Sequence, residues 1–392
     1  MDILHVTLGF LLAAAVVSVI AEGLRLPYTI ALVLAGLAAG NFHLIPSIRI
    51  TPEGLVTLLV LPLLFEGGLH LSAAHLKTYG WLVGGLAVAA TLVAVAVIGG
   101  AAALTWHLPL RSAFLLGAIA SAIDPVGVIA LVREARLDTR LGTILEGEAV
   151  FNDAVAFVLF TLASAPSTPG VAAAAGQFVW LLGMGTLVGI AFAVGIGVAL
   201  SRIRQHLVET LGSLILAISA FIAADGIHAS GVIAVVVAGV VFGNAGPHTL
   251  TEAGRRTTAT LWEVIVFLAN SALFLLIGLA VPWKPLYDLA GLIAIVAAAA
   301  LVARAGSVYA LSALFGRIGA AIPVPWRHVL VWGGLRGGMA VALVLSLAPD
   351  LPGRHEIASG VYGLVLFTLL VQGLSIGILL RRVGLLREPA SG

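Results

Sequence analysis

Apolar runs long enough to cross a bilayer follow one another from one end of this chain to the other, separated by short clusters of proline, glycine and charge. A hydrocarbon core about 30 Å thick needs roughly 20 apolar residues per helix, and it offers no water to backbone groups left unpaired. A chain patterned this way folds as an all-α polytopic membrane protein. The residue balance agrees, with 61% hydrophobic and 10% charged, against about a quarter charged in soluble domains. The spacing predicts thirteen spans, near 4–24, 26–40, 54–70, 79–104, 111–133, 145–165, 177–200, 207–224, 230–244, 260–282, 286–315, 325–348 and 358–382. Pro166 to Gly170 interrupt the chain after the sixth. Residues 4–24 read as a first span rather than a cleaved leader, since no basic segment precedes them.

Basic residues between spans orient the bundle, because Lys and Arg accumulate in cytoplasmic loops. Of twenty, fourteen collect on the side that holds Arg133, Arg136, Arg140, Arg202, Arg204, Arg255 and Arg256. The other side holds only Arg49, Arg111, Lys284 and Arg354, while Arg304 and Arg336 fall within spans. The amino terminus is expected outside and the carboxyl terminus in the cytoplasm, in the cell's inner (plasma) membrane. Basic loops facing anionic lipid account for the net positive charge, so nucleic acid is not expected as a partner. The chain has no cysteine and no HExxH or P-loop pattern, which leaves no thiolate metal site.

Charges inside the spans carry the chemistry. Glu66 falls in span three, Asp124 in span five, Glu148 and Asp153 in span six and Glu263 in span ten, against Arg304 and Arg336. Each costs about 2.5–3.5 kcal/mol at the bilayer centre on insertion scales, which makes such residues functional candidates. An uncompensated carboxylate there takes up a proton, and a cation able to replace that proton would turn the site into an exchanger.

Two spans should break at these charges. Pro125 follows Asp124 in span five, removing a helix hydrogen bond and disfavouring helix at Asp124. In span twelve, Gly333, Gly334, Gly337 and Gly338 surround Leu335 and Arg336. Irregular backbone at membrane depth is tolerated inside protein or beside a wet cavity, and a pair of broken helices in the two halves of a chain points to a transporter's midplane site. Ordinary kinks in packed helices are the competing reading, and acids at the kinks weigh against it. In span six, Asp153 lies about two turns inside the helix, with Ala149 one turn before it and Glu148 sharing a face with Asn152.

Taken together, Leu64-Phe65-Glu66-Gly67-Gly68-Leu69, Ile123-Asp124-Pro125-Val126, Leu145-Glu146-Gly147-Glu148, Phe151-Asn152-Asp153, Asn270-Ser271-Ala272-Leu273-Phe274-Leu275-Leu276-Ile277-Gly278 and Gly334-Leu335-Arg336-Gly337-Gly338 resemble, in order, motifs of the monovalent cation:proton antiporters, in the NhaP-type and sodium/proton-exchanger branch. The resemblance covers about residues 4–384. It implies inverted repeats with spans five and twelve crossing at the site, and a homodimer. The dimerisation domain would take residues 1–78 and 166–284, the core transport domain 79–165 and 285–384, and a short cytoplasmic tail 385–392. Asp153 looks like the family's cation- and proton-binding aspartate, Asn152 its paired asparagine and Asp124 the second site carboxylate. The backbone of Ile123 would add an oxygen, and Glu66 would face the cation path. Glu148, Arg304 and Arg336 resemble a structural ion-pair group. No cofactor is implied; the transported species would be Na⁺, Li⁺ or K⁺ and H⁺, by alternating access, and asparagine at 152 implies electroneutral exchange.

Two positions depart from the pattern. Ala149 and Ile123 stand where many relatives have serine and threonine, so the site is poorer in side-chain oxygen and Na⁺ or K⁺ both stay open as the ion. A passive cation channel would share the broken helices and buried acids. An intramembrane aspartyl protease built on Asp124 and Asp153 would need motifs absent from this sequence. Most histidines fall at span ends, and Trp81, Trp106, Trp262, Trp283 and Trp326 read as interfacial anchors.

Overall fold

The computed structural model describes residues 3–24, 27–42, 54, 56–124, 127–128, 137–165, 170–281, 283–317 and 322–385. Pro125, the basic residues Arg25, Arg49, Arg133, Arg136 and Arg387, and most of the Pro166–Gly170 break lie outside them. All regular structure among the described residues is helical. The helices are α1 (Ile3–Leu24), α2 (Tyr28–Asn41), α3 (Leu61–His70), α4 (Ala73–Trp106), α5 (Leu110–Ser121), α6 (Thr139–Ser164), α7 (Val171–Leu200) and α8 (His206–Gly226). They continue with α9 (Gly231–Thr249), α10 (Glu252–Ala280), the short α11 (Trp283–Asp288), α12 (Ala290–Arg317), α13 (Val324–Trp332), α14 (Gly338–Leu345) and α15 (Arg354–Arg382). Among the described residues, the apolar runs fall on one helix or a pair of helices. Among the described residues, six helices are long and apolar enough to cross a membrane.

Helix ends sit where the sequence provides caps. Pro27 and Pro109 precede α2 and α5, and Asp138, Ser230 and Thr251 accept backbone N–H groups at the starts of α6, α9 and α10. Several helices outrun their apolar cores. α4 starts at Ala73 rather than near 79, and α6 at Thr139 rather than near 145, because polar first turns extend a helix past the hydrocarbon. α4 is therefore continuous across position 78, and 284 falls inside α11. Single π turns interrupt α4 at Leu86–Ala90, precede α3 at Val56–Val60 and interrupt α15 at Thr368–Gly373.

Packing is closest where glycine removes a side chain. A methyl group on Gly36 of α2 would sit 3.0 Å from the Cα of Gly278 on α10, so these two backbones meet as small residues allow in membrane bundles. α3 packs on α9 and α10, and α9 on α7 and α8; α4 packs on α5, α6 and α12, and α15 on α5, α12 and α14. The outer surface is apolar, with Val19, Leu104 and Trp81 exposed. Trp262 is not an interfacial anchor as expected: it is buried, 4.6 Å from the Phe65 ring, and its Nε1 donates to Ser213 Oγ at 2.9 Å. Glu263, next to it, faces outward.

Candidate functional site

Both expected breaks are present, and they touch. α5 ends at Ser121, and Ala122 turns to extended backbone (φ −60°, ψ 129°). Ile123 and Asp124 are also non-helical, and helix resumes at Gly127. The second break runs from Gly333 to Gly337, between α13 and α14. Where they cross, the Asp124 N–H donates to the Leu335 carbonyl at 2.8 Å. The Arg336 N–H donates to Thr368 Oγ1, in the π turn of α15, at 3.1 Å, and the Arg336 guanidinium donates to the Ser121 carbonyl. That carbonyl ends α5, where the helix dipole places partial negative charge. Unwound backbone in a low dielectric is thus supplied with partners from across the crossing.

Gly337 is glycine for a steric reason. A Cβ there would lie 2.5 Å from Asp124 Cγ and 2.7 Å from its Cβ. Gly337→Ala is expected to push Asp124 out of place, lowering stability by about 1–3 kcal/mol, as overpacking does, and weakening cation dependence. A thermal melt in detergent beside a transport assay checks both, and an unaltered Gly337→Ala protein would mean that the crossing is looser than described.

α6 contributes from its middle. Asn152 Oδ1 accepts the Ile123 N–H at 2.7 Å, while its Nδ2 donates to Thr91 Oγ1 at 2.5 Å. Thr91 in turn donates to the Ala87 carbonyl in the π turn of α4. Asn152 therefore joins α6, the first break and α4, and its amide is engaged as a clamp. One turn earlier, Glu148 is held by Arg304 of α12 through two parallel hydrogen bonds, Nη2 to Oε2 at 2.8 Å and Nη1 to Oε1. Arg304 also donates to the Leu330 carbonyl through Nε at 3.0 Å and Nη2 at 2.8 Å, so it braces α13 just before its break. Arg336 lies within the field of this pair and of Asp153, but its hydrogen bond is to the Ser121 carbonyl. The expected three-member group is thus a Glu148–Arg304 pair with Arg336 beside it. Gly334 packs on this arrangement, where a Cβ would come within 3.1 Å of Arg304 Nε.

Asp153, 3% exposed, and Asp124, 4% exposed, line one small cavity with Leu63, Leu64, Met339 and Asn270. Its volume of about 10 Å³ is the room of one water-sized particle. Asp153 Oδ1 and Asn270 Oδ1 are buried and accept no hydrogen bond. The charges acting on Asp153 are Asp124 and Arg336. Glu66 is not part of this cavity: its carboxylate lies further along α3, 3.2 Å from His70 Nδ1. Sequence reasoning missed Thr91, Thr368 and Asn270; Thr91 and Thr368 are lone polar residues within apolar runs and Asn270 is paired only with Ser271 in another, and that was the available signal. Two carboxylates around a one-particle space suit competition between a proton and a small monovalent cation. Among the described residues, no cluster of three or more His, Asp or Glu side chains forms that could hold a metal ion.

Comparison with known proteins identifies the family and the fold. The family model described as "Sodium/hydrogen exchanger, transmembrane" matches residues 10–382. The Na⁺/H⁺ antiporter NhaP of Pseudomonas aeruginosa is 36% identical over 96% of this chain and 91% of its own length. The Na⁺/H⁺ antiporter NhaG of Bacillus atrophaeus is 34% identical over 98% of this chain and 76% of its own. The solved structure of the sodium proton antiporter MjNhaP1 from Methanocaldococcus jannaschii superposes with a TM-score of 0.81 at 21% identity, covering 99% of this chain and all of that one. Its likeness is one of fold. From residue 10 to residue 382, this chain belongs to the transmembrane sodium/hydrogen exchanger family.

Proposed function

We propose that this protein exchanges Na⁺ for H⁺ across the membrane, one for one, by alternating access at Asp153. The observation that carries the reading is a small cavity at the crossing of two broken helices, lined by two buried carboxylates. With both acids ionised, the cavity holds two negative charges near one guanidinium, Arg336. Either H⁺ or Na⁺ cancels the surplus, and each excludes the other from so small a space. Moving an empty, ionised site through hydrocarbon is costly, so the loaded bundle moves more readily than the empty one. That difference couples the two fluxes.

The same reading assigns thirteen crossings with inverted repeats, an outside amino terminus and a cytoplasmic carboxyl terminus in the inner membrane. Support for a moving bundle comes from packing: α4, α5, α6, α12 and α15 contact one another, while α2, α3, α7, α8, α9 and α10 form a second set, which would carry the homodimer contact. Glu66 and its neighbour His70 would stand on the approach to the cavity rather than in it.

The test is collapse of a preset pH gradient in proteoliposomes on adding Na⁺, Li⁺ or K⁺, with and without a clamped membrane potential. A saturable, cation-dependent collapse indifferent to the clamp is expected. A folded protein that moves no protons in response to any cation would overturn the reading, and unsaturable cation flux without protons would make it a channel. A response to K⁺ in preference to Na⁺ would follow from the oxygen-poor position 149. Ala149 is buried one turn before Asp153, so Ala149→Ser should raise apparent Na⁺ affinity about three- to tenfold, the worth of one added hydrogen-bonding oxygen. Unchanged affinity and selectivity would remove position 149 from the site.

A further inference from the structure

The cavity has a polar wall that the exchange reading leaves unused. Asn270 sits in α10, among Ala269, Leu273, Phe274 and Ile277, and it is 7% exposed. It lines the same cavity as Asp153 and Asp124, and its Oδ1 accepts no hydrogen bond. A buried amide oxygen without a donor is uncommon and calls for an explanation. Its immediate neighbour Ser271 is fully satisfied, with its hydroxyl 2.6 Å from both the Tyr28 hydroxyl and the Phe267 carbonyl, so α10 is not short of partners in general. The deficit is confined to the atom beside the two acids.

Position 149 provides no oxygen, and Asn152 has its own amide engaged with Ile123 and Thr91. A small hard cation held by two carboxylates alone lacks neutral oxygen ligands, and amide oxygens serve hard cations well. An unpaired carbonyl oxygen gathered with two carboxylates around one particle-sized space makes an all-oxygen setting suited to a small cation.

We propose that Asn270 is a direct ligand of the transported cation, its Oδ1 completing from α10 the coordination that Asp153 and Asp124 begin. This rests on the exchange reading above. Because α10 packs with α2 and α3 while Asp153 is carried by α6, the ion is clasped from both sets of helices. Asn270 then contributes to which cation is accepted as well as to how tightly.

The test uses full-length protein in proteoliposomes, measuring apparent affinity and maximal rate for Li⁺, Na⁺ and K⁺. Asn270→Leu, similar in shape but without the oxygen, is expected to weaken apparent Na⁺ affinity about tenfold, equivalent to the loss of one ligand interaction, and to change the Li⁺:Na⁺:K⁺ ratio. Asn270→Asp, which keeps an oxygen and removes the N–H donors, should hold or tighten Na⁺ at alkaline pH. A residue that merely positions Asp153 by donating a hydrogen bond would lose affinity in both variants, and that result would overturn the proposal. So would an Asn270→Leu protein with wild-type affinity and selectivity. Asn270→Ala carries the same expectation, so poor folding of the leucine variant leaves the test standing. A wild-type protein without cation-driven proton movement would bring down the exchange reading itself; wild-type exchange with unaltered variants would bring down only Asn270.

Discussion

Asp153→Asn is expected to reduce cation-driven proton movement to the protein-free background, a loss of about a hundredfold or more, while the protein stays folded. The magnitude follows from the cost of an uncompensated charge at membrane depth, about 2.5–3.5 kcal/mol, which is the energy that makes loading and movement depend on each other. An amide at 153 has the shape of the acid but needs neither ion to be neutral. Its bundle would cross empty as easily as loaded, and nothing would tie one flux to the other. Stability should hold or rise, because the variant no longer buries an acid whose Oδ1 accepts no hydrogen bond. The checks are gradient collapse in proteoliposomes and a melt in detergent. Exchange within a factor of ten of wild type would mean that the exchanged charge resides elsewhere.

The second large effect concerns stability. Glu148 is 1% exposed and Arg304 6%, and each is the other's bidentate partner. Removing one member leaves a buried charge without its counterpart, which costs about 3–5 kcal/mol. Glu148→Gln and Arg304→Met should each fold poorly, with Arg304→Met the worse because it also strips two donors from the Leu330 carbonyl. The double variant should be less destabilised than the sum of the singles, since neither charge is then stranded. Unfolding in detergent with increasing denaturant measures all three. Strict additivity would mean that the pair is not coupled and that the two residues serve separate neighbours.

What the chain reveals before folding follows from what each feature depends on. The breaks were legible because proline after Asp124 and four glycines around Arg336 act locally, on backbone geometry. The Glu148–Arg304 pair was legible because charges at membrane depth need counterparts. The actual partner of Arg336 was not: a guanidinium can be held by a helix-terminal carbonyl such as that of Ser121, and no pattern marks which helix end arrives. Asn152 was read as an ion-site residue, and its geometry gives it to Ile123 and Thr91. Glu66 was given to the cation path by resemblance, while the cavity beside Asp153 and Asp124 is lined by Leu63 and Leu64 from the same helix. The π turns beside these elements change helical phase without any sequence signature, so facing directions counted in steps of 3.6 drift across them. Asn270 was quoted within a motif and given no role, because one amide in an apolar run does not say which way it faces.

The contact between the two breaks also bears on how the protein is made. Ribosomes deliver the Ala122–Asp124 segment long before Leu335. The Ile123 N–H finds its acceptor, Asn152 Oδ1, within the first half. The Asp124 N–H donates to the Leu335 carbonyl, which lies in the second half. The native crossing of the two breaks closes only when the second half arrives. The contact between the two breaks therefore forms only after Leu335 has been made, and ahead of Thr368, the α15 residue that holds the Arg336 N–H.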